Sequence, residues 1–151
     1  MFRKGDILVI IAALVAIVVL LFSENAQAAE KWNGPVQCSY YTQIGCKSAN
    51  GSTVTTKSMA VAVPWNKVVS KKAWKKGSKA YKRTRFYYGE KIELRNGKRK
   101  CVVKVNDCGS FGSYGQYYKG KWRPRLFDLQ VAVKKKLRCG STDIIRWRVV
   151  D

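Results

Sequence analysis

The chain has no histidine, and only nine Asp and Glu stand against 30 Lys and Arg. Without His, and with no C-x-x-C pair among five cysteines, the usual ligand patterns for zinc are missing. We therefore expect no metal and no cofactor. Acid–base chemistry, if there is any, falls on very few carboxylates. Two of those stand out: Asp107 ends the apolar run in "VVKVNDCGSF", and Asp128 opens "DLQVAV".

What is abundant is positive charge, a net +21 over 151 residues. Such a field attracts polyanions. Which polyanion depends on the compartment. "MFRKGD" precedes an unbroken apolar run from Ile7 to Phe22, and Ala26-Gln27-Ala28 follows as a small-x-small cleavage pattern. As a helix this run spans roughly 24 Å, short of the ~30 Å hydrocarbon core. Residues 1–28 thus read as a signal peptide, with an uncleaved membrane anchor as the rival. Both place the remainder outside the membrane, secreted or in the cell envelope. Removing 1–28 leaves 28 basic and seven acidic residues and the same net charge. Outside a membrane the abundant anionic partner is a wall or surface polymer rather than nucleic acid. The five cysteines, Cys38, Cys46, Cys101, Cys108 and Cys139, are disulfide candidates in an exported domain. An odd count leaves one thiol over, and the pairing is open.

Residues 29–34 read as a linker and 35–151 as one domain. "PVQCSYYTQ" alternates as a strand, and "SMAVAVP" is a short apolar strand closed by Pro64. A basic insert at about 65–86 mixes Lys and Arg with Trp65, Trp74, Tyr81 and Phe86. Its aromatics either stack on sugars or bases or pack down beneath snorkelling lysines. "YYGEKIELRNGKRKCVVKVND" reads as a hairpin turning at Asn96-Gly97, with Arg95 opposite Lys98. Its inner face carries Ile92, Leu94, Cys101, Val103 and Val105. "CGSFGSYGQYYKGKWRPR" reads as loop. "DLQVAVKKKLRCG" reads as a short helix with Asp128 as N-cap and Gly140 as stop. "IIRWRVVD" is a closing strand. Short, unequally spaced strands with one short helix favour a small barrel.

The order of these motifs resembles the double-psi β-barrel domains of rare lipoprotein A and its relatives. In those, a strand ending in N-D-x-G-P-F leads through a loop to R-x-x-D-L-S; here the matching stretches are "NDCGSF" and "RLFDLQ". The resemblance covers about residues 35–63 and 87–150. It implies a mainly β fold, a six-stranded double-psi barrel with one or two short helices. The same barrel occurs in expansins, lytic transglycosylases, barwin-like proteins and small secreted protease inhibitors, so fold alone does not choose among them.

In wall-active members an aspartate matching Asp128 lies in a groove, with one matching Asp107 nearby. A lytic transglycosylase needs one carboxyl group to protonate the glycosidic oxygen and then to accept a proton from the sugar. The resemblance therefore makes Asp128 the candidate acid, with Asp107 beside it. Tyr41, Thr42, Phe111, Tyr114 and Trp122 become candidate substrate contacts. Each aspartate also has a plain structural reading, as a helix cap or a loop brace. Many relatives carry His or Asp after the small-apolar strand, where this chain has Ala62, so the resemblance leaves cutting in doubt. The expected function is binding, and in one form remodelling or cleaving, of peptidoglycan or a related polysaccharide. The alternative is a secreted protease inhibitor or interaction module, with Phe111 to Trp122 as its surface.

Overall fold

The computed structural model describes residues 31–150. The expected signal or anchor segment, 1–28, lies outside the described residues. Seven strands follow in order: β1 Asn33–Tyr40, β2 Ala60–Pro64, β3 Lys91–Asn96, β4 Arg99–Gly109, β5 Gly115–Tyr118, β6 Lys121–Leu129 and β7 Ile144–Val149. Three short helices, α1 Lys71–Lys76, α2 Lys79–Lys82 and α3 Val131–Leu137, complete the set with a 3-10 turn at Trp65–Lys67.

Alternation explains the strands. On β4, Cys101, Val103 and Val105 are buried while Val102 and Lys104 are exposed, the period-two pattern of a sheet with one wet face. Ile92 and Leu94 of β3, Phe127 and Leu129 of β6, and Ile145 and Trp147 of β7 point into the same core. Phe86 at the end of the insert fills the centre, with its ring 5.7 Å from Phe127 and 5.0 Å from Trp147. Burying each such side chain stabilises by about 1.5–3 kcal/mol.

The strands close on themselves. The hydrogen-bonded order is β1-β7-β3-β4-β2-β6, and β6 returns to pair with β1, which makes a ring of six; β5 is attached outside it to β6. Two pairings are parallel, β1 with β6 and β2 with β4, and the rest are antiparallel. Two interleaved parallel crossings in a closed six-stranded ring define a double-psi β-barrel, as the motif order implied.

Five local readings change. The β3–β4 hairpin turns at Gly97-Lys98, because Asn96 pairs with Arg99 and Arg95 with Lys100. Gly97 takes φ 57, a conformation open to glycine at little cost. The expected pairing was displaced along the partner by two residues, and an even slip keeps every side chain on its face. Asp128 is not a helix cap: it lies within β6, and Gln130 stands at the start of α3 without a side-chain cap bond. The helix ends on left-handed Arg138 rather than at Gly140. The stretch read as loop after Cys108 holds the β5–β6 hairpin, and β1 begins at Asn33, inside the expected linker.

Candidate functional site

The outer face of β2 brings the two aspartates together. Ala62 pairs with Asp107 on one side and with Asp128 on the other. Paired residues share a face, and two strand spacings separate the aspartate backbones by roughly 9–10 Å. Val61 and Val63 pack into the central cluster, and Ala62, between them and itself only 4% exposed, is a small buried floor between the two acids. Ala62, near which the resemblance looks for a His or Asp, puts only a methyl group between the two acids.

The two carboxylates have different tasks. Asp107 Oδ1 accepts from the backbone N–H groups of Ala49 and Cys108, each at 2.9 Å. Its Oδ2 accepts from the Tyr41 hydroxyl at 3.3 Å. Asp107 thus ties the 43–56 loop to the end of β4. Asp128 accepts one bond, from Ser39 Oγ at 2.8 Å, because β1 and β6 pair with Ser39 opposite Asp128. Burial raises its pKa above the ordinary carboxylate range, against the Ser39 bond and the Arg125 guanidinium, and the nearby Asp107 charge adds to the rise. Of the pair, Asp128 is the carboxyl group held by fewer hydrogen bonds.

Tyr41 joins this cluster and Thr42 does not. The Tyr41 hydroxyl accepts from Gln130 Nε2 at 2.8 Å while donating to Asp107. Burial pushes its pKa up. Thr42 is exposed, two residues beyond β1 and its alternation. Ser39, Gln130 and Arg125 escaped sequence reasoning. Only the parallel β1–β6 pairing places Ser39 beside Asp128, and no local motif announces such a pairing.

The second candidate region is the β5–β6 hairpin. Lys119 and Gly120 form its tip at φ 50 and 71, positive values at both central positions that match the twist of a tight hairpin. Tyr117 and Trp122 pair across the strands with ring centroids 5.4 Å apart. Both are exposed, Tyr117 at 76% and Trp122 at 50%, as is Tyr114 at 58%. Phe111 is half-buried, with its ring against Gly109. The Arg125 guanidinium lies 5.2 Å from the Tyr114 ring and also donates to Gln37 at 3.1 Å. Arg125 thus links the hairpin base to the field around Asp128.

Most of the basic insert is exposed, but Trp74 and Tyr81 are half-buried and Phe86 is buried. Ser70 and Ser78 cap α1 and α2 by accepting from Ala73 and Tyr81. Trp74 donates to the Arg85 carbonyl at 3.1 Å and packs edge-on to Tyr87. Its aromatics therefore do not form a continuous stacking platform, although Trp65 stays exposed. None of the five disulfide candidates is bridged in this structure. Cys38 and Cys139 are buried and in contact. The two thiols interact, raising the pKa of Cys38 and lowering that of Cys139. Burial pushes the Cys101 thiol up to about 11. Among the described residues no group of His, Cys, Asp and Glu is placed to hold a metal ion.

The fold and these two regions define a double-psi barrel with a half-buried acid on its outer face and an aromatic hairpin projecting beside it. No known family profile and no curated protein matches the chain. Among solved structures it is similar to the Streptomyces papain inhibitor, at 20% identity and a TM-score of 0.48, over 81% of this chain and 96% of that one.

Proposed function

We propose that the mature chain is an exported interaction module that docks on a secreted protein, in the manner of a proteinaceous protease inhibitor, through its β5–β6 hairpin. The carrying observation is the exposure of Tyr114, Tyr117 and Trp122 on a hairpin outside the barrel ring. Tyr, Trp and Arg are the residues that dominate binding hot spots. A tight turn and a rigid barrel hold them in place, which lowers the entropy lost on docking. Lys119, Lys121, Arg123 and Arg125 flank the aromatics, so the complementary partner presents an acidic surface. The leader pattern at 1–28 supports a location outside the membrane.

The test is a panel of secreted cysteine and serine proteases, assayed for inhibition and for complex formation by the mature chain. The Tyr117→Ala/Trp122→Ala double variant should weaken any complex by at least about 2 kcal/mol, roughly thirtyfold. Failure to inhibit or bind across both classes removes the inhibitor form. An affinity that the double variant leaves intact removes the hairpin.

One observation favours a second reading, action on a wall polysaccharide. Asp128 is a single carboxyl group with a raised pKa, and transglycosylation needs only one. The +21 charge would draw in an anionic polymer. Purified cell-wall sacculi should then pellet the protein at moderate salt, and anhydro-sugar release should vanish in Asp128→Asn. Absence of pelleting ends this reading; pelleting without products leaves binding alone.

A further inference from the structure

A cavity of about 340 Å³ opens on the outer face of the barrel where β2, β3 and β4 meet. Its lining includes Lys91 and Lys104, the hydroxyls of Ser52 and Ser58, and the amides of Asn106 and Gln130. Lys91 and Lys104 are direct cross-strand partners, and like charges set opposite one another disfavour the sheet. No acidic residue lines the cavity. Of the carboxylates on β3 and just before it, that of Glu93 is taken by Arg148 at 2.6 Å, and that of Glu90 is buried and accepts from the Tyr87 N–H. Gln130 is only 1% exposed. Its Nε2 is used by Tyr41, and its Oε1 has no donor among the described residues. The site thus holds two uncompensated cations, a buried acceptor without a donor, and several hydroxyl and amide groups, over apolar Met59 and Val102.

We propose that this cavity binds an acidic monosaccharide of the hexuronate kind. The carboxylate would lie between Lys91 and Lys104, the ring hydroxyls would meet Ser52, Ser58 and Asn106, and one hydroxyl would donate to Gln130 Oε1. A volume of this size falls at the small end of ligand sites and suits one sugar ring. The site is separate from the hairpin, so it stands whether or not a protein partner docks there.

The probe is D-glucuronate, titrated into the isotope-labelled mature chain and followed by NMR. Saturable shifts should localise to the amides of Ser58, Met59, Lys104 and Asn106. Glucose, which lacks the charge, and acetate, which lacks the hydroxyls, should each bind roughly tenfold more weakly. Lys91→Gln and Lys104→Gln should each weaken glucuronate by about fivefold or more, while Lys98→Gln in the hairpin turn leaves it unchanged. Gln130→Met should narrow the preference for glucuronate over acetate; if that variant does not fold, the two lysine variants carry the test. Equal binding of acetate, of acetylglycine or of glucose overturns the proposal. So do shifts scattered over the surface lysines.

Discussion

Glu90 gives the sharpest quantitative expectation. It is 1% exposed at the entry to β3, and its Oε2 accepts from the Tyr87 N–H at 3.2 Å while Oε1 has no partner. Burial raises its pKa from the ordinary 4.5 to about 7, against the smaller lowering by the Tyr87 bond. The folded state therefore holds more protons than the unfolded one between those values. Stability should fall as pH rises from about 4.5 to about 7, and this contribution should be flat above. A gap of about 2.5 pH units corresponds to roughly 3 kcal/mol. Glu90→Gln removes the titration. Its amide nitrogen leaves one donor unpartnered, a cost of about 1–3 kcal/mol that does not vary with pH. The informative quantity is thus the stability difference between variant and wild type from urea unfolding at pH 4.5 to 8. It should shift in favour of the variant by about 3 kcal/mol across that range. A difference that stays constant with pH would refute the reasoning, since Glu90 would then be ionised in the folded state throughout.

Other expectations follow from single contacts. Asp107→Ala removes the acceptor for two backbone N–H groups, so it should cost about 2–4 kcal/mol and speed hydrogen exchange at Ala49. Ser39→Ala removes a bond that lowers the Asp128 pKa, so the Asp128 carboxyl carbon should titrate at higher pH by NMR; no change would mean the bond is absent in solution. Lys119→Gly should stabilise by up to about 1 kcal/mol in thermal unfolding, because φ 50 at the hairpin tip is strained for a side chain. Mild oxidation followed by peptide mapping should show one bridge, between the contacting Cys38 and Cys139, with Cys101 left as a thiol.

Much of the barrel was legible in order along the chain. Ile92, Leu94, Cys101, Val103 and Val105 alternate so regularly that their inward face survived an error in the turn position, since only an odd slip would have reversed it. The exposed aromatics from Tyr114 to Trp122 were also visible, though as loop rather than hairpin. Lys119 obscured the turn, because a lysine at positive φ is not a recognised turn signal. Asp128 was read as a helix cap because Asp before an apolar run usually is one. Pairing with Ser39 and Ala62, 89 and 66 residues away, held it in a strand instead.

Sequence by itself determined the charge, the absence of histidine and the alternating inner faces, and it singled out the two aspartates. These depend on residue type and on spacings of a few residues. The tertiary structure decided which aspartate is tied up and which keeps a raised pKa, that Ala62 lies between them, and that Lys91 and Lys104 share a cavity with a buried, half-satisfied Gln130. Those outcomes depend on ring closure, on two parallel pairings and on burial. Each is a property of segments distant in the chain, and no local pattern encodes it.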